Sequence, residues 1–380
     1  MKSRLAILTE IISPYRIPLF NALAREEKVN LQVIFLAETD PQLRQWQVYR
    51  EEIKFPYVIL PSWRKRAGGY NLLFNRGVGS ALTAAAPDTI LCGGYNYLAY
   101  WQALVWARSR RIPFFLWSES NLQDQRPGHA TVEMLKQEFF RRCSGFVVPG
   151  QSAAEYLRAH RIGDELIFGA PNAVDNNYFA SGAAAARRHP DMHRKELNLP
   201  GRYFLFVGRL VAEKGVIDLL AAYAKLDDAV RRQVGLLFVG DGTARGQLER
   251  QAATISPGVI KFAGFVQREQ LAAYYALAEM LILPTHSDTW GLVVNEAMAC
   301  GLPVILSSIA GCAVDLVREN WNGLLIPAKN VPSLALAMQR LVSDSDLRGA
   351  MGANSSAHIA GYSPQEWSQG ILRAMVNGAA

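Results

Sequence analysis

Cysteine is scarce in this 380-residue chain, with four residues at positions 92, 143, 300 and 312 and no CxxC pair among them. That excludes a disulfide scaffold, gives no basis for a zinc site, and fits a reducing, cytoplasmic setting. Neither polar bias nor low complexity is present: half of the residues are hydrophobic and 19% are charged, which excludes a disordered chain. No secretory leader is evident, because Glu10 breaks the first apolar run in MKSRLAILTEIISPY. Residues 89–107 carry no charge and approach the length of a membrane span, but Gly93, Gly94, Asn96 and Gln102 interrupt them, so they read as strand, turn and helix. No strand is followed by GxGxxG, and no GxxxxGK[ST] occurs, so neither a dinucleotide fingerprint nor a P-loop is present. One DxD spacing, Asp344 and Asp346, falls on a helical segment with no strand before it and is discounted as a metal site. The basic residues form no stripe or stacking platform, which argues against nucleic-acid binding.

What is present is alternation. Short apolar runs at residues 4–8, 31–37, 57–61, 89–92, 113–117 and 145–149 are separated by helix-length segments, the pattern of a parallel sheet with crossover helices. The pattern breaks at 181–200, where SGAAAARRHPDMHRKELNLP mixes alanines, charges and prolines, and it resumes at 203–207, 235–239, 259–262, 280–283, 303–306 and 324–326. This predicts an α/β protein of two doubly wound, Rossmann-like domains, 1–180 and 201–362, joined by a linker at 181–200 and closed by a helix over 363–380. Ligands of such folds bind beyond the carboxyl ends of the strands, so function is read from the loops that follow them. The net charge is +7, and residues 1–180 hold +5 of it, from 21 basic and 16 acidic residues, which favours anionic ligands or an anionic surface.

Two loops carry chemistry. In FVGRLVAEKG, Gly208 lets the backbone approach a ligand, and Arg209 and Lys214 flank a turn that leads into a helix. With the helix amides they suit a pyrophosphate, the alternative being solvated loop charges. In SDTWGLVVNEAMACGLPVI, a helix starting at Gly291 leaves Asp288 in the preceding loop and Glu296 one to two turns inside. Both can face a ligand; the alternatives are an N-terminal cap for Asp288 and a surface position for Glu296.

Taken together with VGDG, FAGFV and PNAVDNNYF, these segments resemble the motifs of GT-B glycosyltransferases of family 4, the retaining nucleotide-sugar-dependent group, over most of the chain. The resemblance implies that Arg209 and Lys214 bind the donor diphosphate, that Glu296 accepts from the ribose hydroxyls, and that Asp288 faces the sugar ring. Asp288 is a departure, since the family has a glutamate there. The resemblance also implies that Gly208, Trp290, Gly291 and Leu292 border the donor and that Gly264, Phe265 and Val266 border its base. Two fixed cations can neutralise a departing diphosphate, so no metal or cofactor is expected. Expected partners are a nucleotide-sugar donor, carrying UDP or GDP, and a saccharide or lipid-linked saccharide acceptor.

On the acceptor side, Ser13 and Tyr15 follow the first strand and Glu119 follows FFLW, the alternative for Glu119 being a structural cap. His129 is a further loop candidate, read more simply as a solvated side chain. A separate expectation comes from Trp63, Arg64, Lys65 and Arg66, where an aromatic beside three cations suits peripheral contact with an anionic membrane on its inner face, against the alternative of a solvated loop. Two other readings are a two-Rossmann sugar-nucleotide enzyme such as a UDP-sugar 2-epimerase and a non-catalytic nucleotide-sugar-binding protein.

Overall fold

The computed structural model describes residues 2–40, 45–67, 70–123, 130–256 and 258–378. The chain divides into two compact units. One holds the residues up to Leu122, the stretch ending at Val174 and everything from Pro364 onward; the other holds Asp175–Ser363.

The first unit contains β1 (Ser3–Thr9), β2 (Val29–Phe35), β3 (Tyr57–Ile59), β4 (Ser62–Ala67), β5 (Tyr70–Asn75), β6 (Thr89–Cys92), β7 (Phe114–Trp117), β8 (Gly145–Val148) and β9 (Ile167–Gly169). Seven of them form a parallel sheet in the order β3-β2-β1-β6-β7-β8-β9, while β4 and β5 pair as a separate antiparallel hairpin. The central strands are apolar on both faces because both faces are covered. Ala6, Leu8, Ile90, Leu116 and Val148 enter one core with the helix Leu98–Ser109, and Leu5, Ile7, Leu91, Trp117 and Val147 enter another. The helix Pro364–Asn377 belongs to that second core. Its fully buried Trp367 packs on Trp117 and Phe20, with centroids 5.2 and 5.8 Å away. Residues 89–107 are the strand β6 followed by that first-core helix, and no helix among the described residues is long and apolar enough to cross a membrane.

The second unit contains β10 (Tyr203–Val207), β11 (Gly235–Val239), β12 (Ile260–Gly264), β13 (Met280–Leu283), β14 (Val304–Ser307) and β15 (Gly323–Ile326), all parallel, in the order β12-β11-β10-β13-β14-β15. Residues 181–200, assigned as a linker from their composition, are largely helical. The alanines continue a helix over Asn176–Arg188, which Asp175 caps by accepting from the Tyr178 amide at 3.0 Å, and Pro190 opens a second helix, Pro190–Glu196. Arg187 fastens the first of these to the rest of the unit through the carbonyls of Ala276 (3.1 Å) and Cys300 (2.6 Å). Asp344, half of the discounted DxD spacing, is an N-cap whose side chain accepts from the Leu347 amide.

Candidate functional site

In the second unit the strand order reverses between β10 and β13, the place where ligands of open α/β sheets bind beyond the carboxyl ends of the strands. The three loops after β10, β11 and β12 are laced by backbone hydrogen bonds. Gly208 N donates to Val239 O (2.9 Å), Gly240 N to Gly264 O (2.7 Å) and Leu210 N to Asp241 O (2.9 Å). Gly240 adopts φ +131°, and a Cβ there would lie 1.9 Å from the Gly208 carbonyl, so only glycine permits this approach. Gly215 plays the same part between the β10 and β13 loops: its φ is +67° and a Cβ would lie 2.0 Å from the Pro284 carbonyl.

That contact sets Lys214. The short 3-10 turn Ala212–Lys214 presents the Glu213 carbonyl to His286 N (2.8 Å) and Thr285 Oγ1 (2.9 Å), both in the loop after β13. Lys214 Nζ then meets Asp288 Oδ2 at 2.5 Å, the two side chains being 15% and 14% exposed. Asp288 Oδ1 accepts from the Trp290 amide at 3.4 Å, while the N-cap of the following helix, Leu292–Ala299, is Gly291. Arg209 is exposed. Lysine, arginine and the amides of a helix start are donor types that can bind a diphosphate.

Glu296 lies in that helix and is not a surface carboxylate. Its Oε2 accepts from the Tyr275 hydroxyl at 2.6 Å, and burial pushes its pKa up to about 7, against the lowering effects of the Tyr275 hydrogen bond and the Arg268 charge. Tyr275, 21 residues earlier, gave no signal in the sequence. Nor did the His286–Asp218 pair (2.7 Å), which ties the β13 loop to the helix Val216–Ala224. Phe265 is 42% exposed and Val266 is buried. Trp290 is also buried, its Nε1 donating to Asn295 Oδ1 at 2.9 Å, so its ring is held inside the unit and only its backbone is available to a ligand.

In the first unit the order reverses between β1 and β6. There Glu10 Oε1 accepts from Tyr97 Oη (2.8 Å) and from Arg64 Nη1 and Nη2 (3.1 and 3.2 Å), and Arg64 Nη1 also reaches the buried Asp40 at 2.7 Å. Sequence reasoning missed this cluster, whose members lie up to 87 residues apart. Ser13 is buried and Tyr15 packs edge-on against Trp46 at 5.9 Å. Glu119 accepts from Arg16 Nη2 at 3.2 Å, and the Arg16 guanidinium also stacks on Trp117, 3.9 Å from the ring centroid. The neighbouring Ser118 hydroxyl is buried with no hydrogen-bond partner among the described residues. His129 lies outside the described residues. The segment 63–66 is part of a β-hairpin rather than a loop, and Arg64 points into the unit instead of outward.

Family models match most of the chain: one described as Glycosyltransferase Family 4 over residues 19–178 and one described as Glycosyl transferases group 1 over residues 189–358. Among curated proteins, a D-inositol 3-phosphate glycosyltransferase of Corynebacterium jeikeium is 33% identical over 204 residues, covering 51% of this chain and 48% of that protein. An uncharacterized glycosyltransferase of Methanocaldococcus jannaschii is 31% identical over 179 residues, covering 46% and 44%. The chain thus spans about half the length of the curated relatives it matches. Among solved structures, Anabaena HepE in complex with UDP superposes with a TM-score of 0.76 at 18% identity, covering 99% of this chain and all of the other. Sucrose-phosphate synthase from Thermosynechococcus elongatus gives 0.71 at 21% identity, with coverage of 99% and 100%. With both sheets, the loop motifs and both family models in agreement, the chain belongs to the group 1, family 4 glycosyltransferases and has their GT-B fold.

Proposed function

We propose that this chain is a retaining hexosyltransferase that moves a hexose-type sugar from a UDP- or GDP-sugar to a saccharide, free or lipid-linked, in glycan or polysaccharide biosynthesis on the cytoplasmic side of the membrane. The observation that carries the reading is the Lys214–Asp288 pair at the strand-order reversal of the second unit, with the exposed Arg209 in the same loop as Lys214 and the helix Leu292–Ala299 starting just after Asp288 in the chain. In this reading Lys214 exchanges its carboxylate for the donor diphosphate and, with Arg209, neutralises the charge that develops as the diphosphate leaves. The amides of Gly291 and Leu292 add to that field, Asp288 turns to the sugar ring, and Glu296 accepts from the ribose hydroxyls. Gly264, Phe265 and Val266 border the base. Ser13, Tyr15 and Glu119 belong to the acceptor side.

Retention in this reading proceeds by attack on the face the diphosphate leaves, because neither site carboxylate is assigned as a nucleophile: Glu296 is bound by the Tyr275 hydroxyl, and Asp288 contacts the sugar ring. HepE, whose fold is shared, has been solved with UDP and with UDP-glucose, which supports a uridine donor. The test incubates UDP-hexoses and GDP-hexoses with and without saccharide acceptors and follows nucleoside diphosphate release and the anomeric configuration of the product. Acceptor-dependent release with retained configuration is expected. An inverted linkage, or conversion of donor alone to an epimer, contradicts the proposal.

A further inference from the structure

The β4–β5 hairpin of the first unit has two chemically different faces. Its register pairs Trp63 with Phe74, Arg64 with Leu73, Lys65 with Leu72 and Ser62 with Asn75. One face is anchored: Arg64 pairs with Glu10 and Asp40, Leu73 is 2% exposed, and the Asn75 side chain donates to the Leu36 carbonyl at 2.5 Å. The other face is open. Trp63 is 60% exposed, Phe74 43% and Leu72 40%, with the exposed Lys65 among them. The Trp63 and Phe74 rings sit 5.7 Å apart, and Pro61, Ser62, Asn75 and the exposed Arg76 border a concavity beside them.

Two aromatic rings in contact, with a third large apolar side chain on the same exposed face of an anchored scaffold, mark a docking surface, because the fold gains nothing from their exposure. The surrounding charge selects the partner. Between residues 53 and 87 the sequence has no Asp or Glu, and while Arg64 is paired on the anchored face, Lys65 on the open face and Arg76 beside it are exposed. A second copy of this chain, at +7, would bring like charge onto the patch. A surface that is apolar beneath and anionic at its edge matches both components.

We propose that the outer face of the β4–β5 hairpin docks on an anionic phospholipid bilayer, with Trp63, Leu72 and Phe74 entering the headgroup–acyl boundary and Lys65 and Arg76 pairing with lipid phosphates. The proposal stands whether or not the donor assignment holds. It is tested by co-sedimentation of the purified chain with phosphatidylcholine vesicles and with vesicles that also contain phosphatidylglycerol, at low and high salt, alongside thermal unfolding. Binding to the anionic vesicles that weakens with salt is expected. Trp63→Ala/Phe74→Ala should reduce it at least about tenfold, Leu72→Glu comparably, and Lys65→Ala about fivefold, with unfolding midpoints unchanged. No wild-type binding at low salt, or undiminished binding by both the double variant and Leu72→Glu, overturns the proposal. A wild-type dimer that the double variant converts to monomer, with no vesicle binding by either, overturns it in favour of a self-association surface.

Discussion

Glu296 offers a quantitative test, because its environment has two opposed effects. Enclosure disfavours the carboxylate, while the Tyr275 hydroxyl and the Arg268 charge favour it, and enclosure wins, lifting the pKa from 4.5 to about 7. The sign follows from linkage: between those values the folded chain keeps a proton that the unfolded chain has released, so stability falls as pH rises through that window and levels off above it. At 1.36 kcal/mol for each tenfold change in proton affinity, the fall across that window is about 3 kcal/mol. Glu296→Gln keeps the shape, can still accept from Tyr275, and has no charge to enclose. Relative to the wild type, the variant should gain about 3 kcal/mol between about pH 4.5 and pH 7.5, or about 6 to 12 °C in unfolding midpoint for a unit of this size. Parallel thermal scans across that range measure it. A wild-type-to-variant difference that does not change with pH would refute the reasoning, since it would place the Glu296 carboxyl in water. The same titration bears on ligand binding: if the carboxylate accepts from the ribose, donor affinity should rise as pH passes through about 7.

Arg209→Ala and Lys214→Ala should each lower turnover by about 100-fold or more while leaving the fold intact, measured by nucleoside diphosphate release; near-wild-type turnover in both would remove them from the diphosphate site. Gly240→Ala should cost about 3 kcal/mol or more in urea unfolding, because a Cβ at φ +131° collides with the Gly208 carbonyl 1.9 Å away; a loss below about 1 kcal/mol would show that the two loops are not locked. Arg64→Ala should cost about 2 kcal/mol by removing its charged hydrogen bonds to the buried Asp40 and to Glu10, and Asp40→Asn in the same background should recover part of the loss; no recovery would assign the effect to packing alone.

The strands were legible because parallel strands covered on both faces read as unbroken apolar runs. Tyr203–Val207, Gly235–Val239 and Met280–Leu283 begin and end where the sequence places them. The hairpin has a signal in the sequence, a Gly-Gly pair between SWRKRA and YNLLFN, but three clustered cations beside Trp63 point to a membrane-facing patch or a solvated loop rather than to paired strands. The segment Ile167–Gly169 is too short and too exposed to stand out from its surroundings. At the site, the motifs located Lys214 and Asp288 on separate loops, but their meeting depends on the Glu213 carbonyl and on Gly215 fitting against Pro284, contacts that span about 70 residues. Trp290 illustrates the reverse: its place in the motif points to the donor, and Asn295 five residues later turns its ring inward.

In the proposed function the second unit binds a nucleoside diphosphate through Arg209, Lys214 and the start of the helix Leu292–Ala299. Titration calorimetry of UDP, GDP and ADP into the purified protein, without divalent metal, tests it most directly. One of the three should bind, and Arg209→Ala or Lys214→Ala should weaken it by at least about tenfold. Failure of all three to bind a protein shown to be folded, or binding unaffected by both substitutions, would contradict it.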